Sequence, residues 1–122
     1  MYKFGFEKLE VWQNSLELTK IIYQITKEFP RDERFGLISQ MRRAAISVSS
    51  NIAEGNARKT NKDKAHFTTM AYTSLMELMN QAVISFELDY ISKAELNNIR
   101  EKLSYISNQL NKLRNYQNKN YR

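Results

Sequence analysis

The polar side chains best able to do chemistry lie along residues 40–54, in the run QMRRAAISVSSNIAE. At the 100° per residue of an α-helix, six of them fall on one side: Gln40, Arg43, Ser47, Ser50, Asn51 and Glu54. An arginine, a carboxylate and an amide on one face can bind another polar surface or simply face water. The spacing alone favours a solvated structural face over a binding site.

The residue types of most catalytic sites are absent. The chain has no cysteine, one histidine (His66) and three glycines that form no phosphate-binding loop. A small helical ribonuclease should carry an arginine and a histidine a few residues apart, but seven residues separate Arg58 from His66. The two Glu-x-x-His motifs of a ferritin-like di-iron site are also missing. We therefore predict a non-enzymatic protein with no catalytic residue, no metal and no cofactor, in which His66 is a helix-surface or packing residue.

Positive charge is concentrated in two segments. The chain has 19 basic and 13 acidic residues, a net charge of +6 and an isoelectric point near 9.6, which favours polyanionic partners. Cations in the first turn of a helix oppose its macrodipole, and a bound phosphate relieves that conflict. We predict that RNA or DNA is bound by six cations: Arg58, Lys59, Lys62, Lys64, Lys112 and Arg114. The alternative for the C-terminal cations and the basic tail 118–122 is a frayed, solubilising terminus.

Helices must position these residues. A single proline (Pro30) and abundant Leu, Lys, Glu, Gln and Asn favour long helices, with breaks near residues 30, 56–60 and 90. We predict helices at about 7–28, 35–55, 61–89 and 92–117, the last beginning in the capping box Ser92-Lys93-Ala94-Glu95. Short connections make consecutive helices antiparallel, so residues 1–122 should form one all-α, up-down-up-down four-helix bundle. This topology brings residues 58–64 and the C-terminal segment to one end.

Apolar residues distinguish the fourth helix from the first. The fourth has one narrow stripe: Leu96, Ile99, Leu103, Ile106, Leu110 and Leu113. The first is apolar on two sides, one containing Val11, Leu18 and Ile22, the other formed by Leu9, Trp12, Leu16 and Tyr23. We predict that the second side is a subunit interface of a homo-oligomer, the alternative being that it covers a bundle edge. No signal peptide and no apolar run of roughly 20 residues occurs, so we expect a cytoplasmic protein without membrane contact.

Spaced motifs carry a family resemblance. They are F-P-x-x-E-x-F-G-L from Phe29, Q-x-R-R-A-A from Gln40, S-N-I-A-E-G from Ser50, L-x-V-W from Leu9, and Ala71, Ser74 and Glu77 on the third helix. Together they resemble the four-helix-bundle proteins called 23S rRNA intervening-sequence proteins, related to the accessory proteins of diversity-generating retroelements. Thr73 stands where the family usually has glycine, which affects only local packing.

The resemblance implies an antiparallel bundle that assembles into a ring-like homopentamer. Members similar to the retroelement accessory proteins are thought to bind nucleic acid and a reverse transcriptase, and no catalytic residues come with the family. It also implies polar contacts, expected between subunits, for Gln40, Arg43, Asn51, Glu54 and Glu77. We predict that Arg43, whose planar fork can serve two acceptors, pairs with Glu54 or Glu77. Nucleic-acid binding is the leading functional prediction, and a protein-protein interaction scaffold is the alternative.

Overall fold

A computed structural model describes residues 1–119 of the chain. In order, the elements are a 3₁₀ turn at Gly5–Lys8, α1 (Glu10–Thr26), a 3₁₀ turn at Arg31–Glu33, α2 (Leu37–Ala57), α3 (Asn61–Glu87) and α4 (Lys93–Lys119). Each helix packs against the next one along the chain, and α1 also contacts α4. Over the described residues the fold contains no strand. The predicted all-α four-helix bundle is confirmed.

The helix boundaries differ from the predicted ones mainly at the ends. The first helix begins at Glu10 and not near residue 7, because residues 5–8 form a separate 3₁₀ turn. At the other terminus, α4 continues to Lys119, so residues 118–119 of the predicted tail are helical. Residues 120–122 of that tail lie outside the described residues.

The core is built from the predicted apolar stripes. On α4, Leu96, Ile99, Leu103, Ile106 and Leu110 are buried, and Leu113 is half-buried against them. On α2, the buried apolar residues are Leu37, Met41, Ala44, Ala45, Val48 and Ile52. Small residues on α2 let α3 come close: a Cβ added to Gly55 would lie 3.0 Å from the Phe67 Cβ. Close packing of α2 on α3 thus fixes where the second connection lies.

The second apolar side of α1 is partly covered within the chain. Trp12 is half-buried and packs edge-on against Phe6, with ring centroids 5.1 Å apart. The Arg42 guanidinium lies 4.5 Å from the Tyr23 ring centroid, and its Nε donates a 2.9 Å hydrogen bond to the Thr26 hydroxyl. Leu9 is also half-buried, which leaves Leu16, 37% exposed, as the most accessible member of the set. A subunit interface on this side stays a prediction.

One end of the bundle is closed by hydrogen bonds; we call it the capped end (residues 29–37 and 87–95). Glu33 accepts from the Leu37 backbone N–H at 3.1 Å and from the Tyr90 hydroxyl at 2.9 Å. The bond to Glu33 raises the pKa of Tyr90, because the carboxylate favours the protonated phenol. A Cβ on Gly36 would meet the Glu33 carboxylate at 2.6 Å, so glycine makes room for this cap. One carboxylate thereby ties the start of α2 to the connection before α4.

The predicted capping box at the start of α4 is also present. The Ser92 hydroxyl accepts from the Glu95 N–H at 3.1 Å, and the Glu95 carboxylate accepts from the Ser92 N–H at 2.8 Å. Just before it, Asp89 adopts a positive φ of 64°, a conformation that aspartate tolerates better than most residues. These local devices end α3 and begin α4 within a few residues.

Candidate nucleic-acid interface

The opposite end of the bundle brings together the predicted cationic segments. The hydroxyl of Thr68, on the second turn of α3, lies 2.8 Å from the side-chain amide of Gln117, near the end of α4. One residue further along α3, the Thr69 hydroxyl lies 3.5 Å from a guanidinium nitrogen of Arg114. The connection after α2 and the last turns of α4 therefore meet, as the topology predicts. We call this region the basic end, defined by Arg58, Lys59, Lys62, Lys64, Lys112 and Arg114.

Three of these six cations are held by contacts within the chain. The Arg58 guanidinium lies 4.5 Å from the Phe67 ring centroid, and Lys64 Nζ donates to the Asn56 carbonyl at 3.1 Å. Arg114 donates to Asn111 Oδ1 at 2.6 Å and lies 5.1 Å from the Tyr72 ring centroid. None of these contacts is with a carboxylate, so no anionic side chain competes with an anionic ligand for these three cations.

The other three cations are exposed and have no hydrogen-bond or ion-pair partner within residues 1–119. They are Lys59, Lys62 and Lys112. Lys62 lies in the first turn of α3, directly after the Thr60 cap, whose hydroxyl accepts from the Asp63 N–H at 3.1 Å. There it faces the positive end of the helix dipole, an arrangement that a bound anion would improve. These three lysines are the most accessible charges of the basic end.

A pocket of about 280 Å³ opens at the basic end, with Lys64 as the one basic-end cation in its wall. Asn56, Lys64, Thr68, Tyr116 and Gln117 contribute to its wall. Gln117 is only 6% exposed and joins α4 to α3 through its hydrogen bond from Thr68. It lies seven residues after Leu110, in the register of the buried stripe, and that spacing is the signal that could have identified it.

The polar stripe predicted on α2 divides into an exposed and a buried part. Gln40, Arg43 and Glu54 are exposed, as is Glu77 on α3, whereas Asn51 is buried. The predicted pairing of Arg43 with Glu54 or Glu77 is absent within the chain. Glu54 lies roughly 16 Å further along the same helix, beyond the reach of an arginine. Such a pairing requires a second molecule.

Asn51 belongs to a hydrogen-bonded seam between α2 and α3. Its side-chain amide donates to the Ser47 carbonyl at 2.9 Å, and the hydroxyls of Ser47 and Ser74 are 2.8 Å apart. Gln81 is buried further along α3, and its Oε1 has no partner among the described residues. Assigning Asn51 to the solvent face was wrong, because its amide satisfies polar groups where the two helices meet.

Comparison with known proteins agrees with the helical architecture and its motifs. The sequence model of the 23S rRNA-intervening sequence protein family matches residues 7–112. The chain belongs to this family. Among solved structures, it is similar to a protein of unknown function from the S23 ribosomal protein family of Bacteroides thetaiotaomicron VPI-5482. That similarity has a TM-score of 0.74 at 20% identity, covers 82% of this chain and 94% of the other, and supports the fold alone. No curated protein matches the sequence.

The matched range of this intervening-sequence protein includes most of the basic end but not Arg114 or the N-terminal residues before Glu7. Within residues 1–119 there is no cluster of three or more potential metal-ligating His, Cys, Asp or Glu side chains, and His66 is exposed. None of the described helices is long and apolar enough to cross a membrane.

Proposed function

We propose that this intervening-sequence protein is a non-enzymatic, oligomeric bundle that binds RNA or DNA through its basic end. The observation that carries the proposal is a set of three exposed lysines, Lys59, Lys62 and Lys112, which have no partner in the described part of the chain and lie beside three anchored cations. Affinity would come mainly from neutralising phosphates, so it should fall with salt and show little sequence preference. A cytoplasmic location is part of the proposal.

Oligomerisation would strengthen this binding. The unpaired Arg43 and Glu77 on exposed faces of α2 and α3 suit contacts between copies, and the family resemblance implies a homopentamer. Several basic ends on one particle would act together on one nucleic acid, as the resemblance to retroelement accessory proteins also suggests. Light scattering coupled to size exclusion tests this part: a 14.4 kDa species at micromolar concentration would contradict it.

The binding test compares two triple variants with equal net charge. One removes the free cations of the basic end (Lys59→Gln, Lys62→Gln, Lys112→Gln), and the other removes three exposed cations at or near the capped end (Lys27→Gln, Arg31→Gln, Lys93→Gln). Anisotropy titrations use single-stranded RNA and duplex DNA at two salt concentrations. The basic-end variant should bind at least about tenfold more weakly, with a slope of log K against log salt flatter by about 2 to 3.

The capped-end variant should bind within about twofold of the wild type, since distant charges are screened. Equal losses in both variants would show a non-specific effect of net charge and contradict the proposed location. Circular dichroism and light scattering on both variants establish that folding and assembly are preserved.

The alternative function is a protein-protein interaction scaffold. It is favoured by apolar side chains exposed along α2 and α3 and before α2, above all Phe35, which is 88% exposed, with Ile46 and Ile84. This alternative requires that the wild type bind neither RNA nor DNA at low salt. Substituting serine for Phe35 and Ile84 should then alter the mass measured by light scattering or the binding of a protein partner.

A further inference from the structure

An aromatic arm, residues 1–6, precedes the bundle and extends from its core into solvent. Its rings form a chain: Tyr2 packs edge-on against Phe4 at 5.2 Å, Phe4 lies nearly parallel to Phe6 at 6.5 Å, and Phe6 packs edge-on against Trp12 at 5.1 Å. Trp12 is anchored against the core, whereas Tyr2 and Phe4 are 78% and 60% exposed. The two outer rings therefore present their surfaces to solvent while the inner ones fix their position.

Hydrogen bonds hold the arm in place. The Phe4 backbone N–H donates to the Glu7 carboxylate at 2.9 Å, and the Gln13 side chain donates to the Glu7 carbonyl at 2.9 Å. The first bond joins Phe4 to the 3₁₀ turn, and the second joins that turn to Gln13 in the first turn of α1. Because the arm is already ordered, a ligand that binds it loses less conformational entropy than one that must fold a loose terminus.

The arm lies against the basic end. A Cβ added to Gly5 would be 3.1 Å from the Asn56 side-chain nitrogen, at the last turn of α2. The Asn56 carbonyl in turn accepts the hydrogen bond from Lys64. Asn56 thus contacts both the arm and a cation of the proposed phosphate-binding region. Lys3 and Lys8 add two exposed positive charges beside the rings.

Exposed rings beside lysines match the chemistry of unpaired nucleotides. Phosphates pair with the cations, and the flat face of any base can stack on an aromatic side chain, whatever the sequence. In a duplex the base faces are already stacked on one another, so they are not available to stack on the aromatic rings. The family match begins at residue 7, so the arm lies outside the part of the chain that the family model describes.

We propose that Tyr2 and Phe4 form a base-stacking platform, so that the basic end binds single-stranded nucleic acid in preference to duplex. The inference rests on the proposed function, since it assumes that phosphates bind at the basic end. Stacking is a second class of contact beside phosphate binding, and it does not depend on salt. The two contacts together select single-stranded nucleic acid.

The test replaces both rings and compares strand types. A Tyr2→Ala/Phe4→Ala variant is titrated with an unstructured single-stranded RNA, the single-stranded DNA of the same sequence and the corresponding DNA duplex. The matched control, Phe35→Ala/Tyr105→Ala, removes the same residue types from exposed positions elsewhere. Loss of two stacking contacts should weaken single-strand binding about tenfold or more and leave duplex binding within about twofold. The salt slope should stay unchanged, because no charge is removed.

A Tyr2→Phe/Phe4→Tyr variant keeps both rings and should bind single strands like the wild type. Equal weakening on single strands and duplex, or no weakening on single strands, would overturn the stacking platform. A changed particle mass for the alanine variant would also overturn it, because the rings would then cover a second protein chain. If the alanine variant is unaffected while the triple lysine variant fails to bind, only the stacking inference is lost; if the wild type binds no nucleic acid, both proposals fail.

Discussion

The capped end and the basic end use their polar side chains in opposite ways. At the capped end, Glu33 receives hydrogen bonds from Leu37 and Tyr90, and Ser92 and Glu95 satisfy each other's backbone groups. At the basic end, Lys59, Lys62 and Lys112 are exposed and have no hydrogen-bond or ion-pair partner among residues 1–119. The first set stabilises the fold, whereas the second adds charge without contributing to the fold.

Their aromatic residues differ in the same way. Tyr90 packs on Phe29 with ring centroids 5.3 Å apart, and its hydroxyl is bonded to Glu33. Tyr2 and Phe4, near the basic end, are mostly exposed. Substitutions at the capped end should therefore lower stability and leave nucleic-acid binding intact, whereas those at the basic end should weaken nucleic-acid binding without lowering stability.

The largest effect is expected for Glu33→Ala. The change frees the Leu37 N–H and the Tyr90 hydroxyl together, and should lower the free energy of unfolding by about 2 kcal/mol. Urea denaturation followed by circular dichroism measures it, with Glu28→Ala, an exposed carboxylate nearby, as the control. Nucleic-acid affinity should not change. A loss no greater than that of the control would show that Glu33 does not close this end.

A smaller, pH-dependent effect is expected for Tyr90→Phe, since the cap on Leu37 remains. The folded-state pKa of Tyr90 is raised, so the stabilisation by its protonated hydroxyl is complete below the unfolded value near 10. It is lost as the pH rises through the higher folded-state pKa. The difference in unfolding free energy between wild type and variant should be constant from neutral pH to about 9 and shrink above 10. A difference that grows with alkaline pH would contradict this assignment.

Ser92→Ala should lower the free energy of unfolding by about 1 kcal/mol, the usual cost of losing a serine cap. Ser107→Ala, in the body of α4, provides the control, because a helix interior tolerates alanine. Thermal unfolding monitored by circular dichroism would reveal the difference. If both variants melted together, the capping box would contribute nothing to the fold.

The smallest effect on stability has the opposite sign. Lys62→Glu places an anion in the first turn of α3, where the helix dipole favours it, and should raise the unfolding free energy by about 0.5 kcal/mol. The same change should weaken nucleic-acid binding, because it reverses a charge at the basic end. The reverse pattern, lower stability with unchanged binding, would remove the distinction between the two ends.

Local patterns in the sequence predict most of the fold. The single stripe of α4 and the Ser92 capping box depend on residues close together in the chain, and both are present. The role of Glu33 was not apparent, because it depends on Tyr90 approaching from a connection 57 residues away. The role of Gln117 was missed for the same reason, because its partner Thr68 comes from another helix. Asn51 bonds to Ser47 on its own helix, but its burial depends on α3 packing there, where Ser74 contacts Ser47.

The candidate site was predictable only in part. Antiparallel topology is enough to bring residues 58–64 to the last turns of α4. Which cations are anchored depends on neighbours such as Phe67 and Tyr72, and sequence spacing does not specify them. The distance along α2 excludes a pairing of Arg43 with Glu54 of the same chain, so a pairing between copies stays a prediction. The arm has no helical period, and its position depends on Gly5 meeting Asn56.

Because an even number of antiparallel helices returns the chain to the end where it began, the aromatic arm and the last turn of α4 lie at the same end of the bundle. An affinity tag or fluorescent protein fused to the N-terminus or the C-terminus would therefore lie near the basic end and obstruct it. The capped end offers a better place for a label. Because the sequence contains no cysteine, an Arg31→Cys substitution would provide a single reactive thiol there. A dye or surface attached through that thiol would leave the opposite end of the bundle accessible to solution.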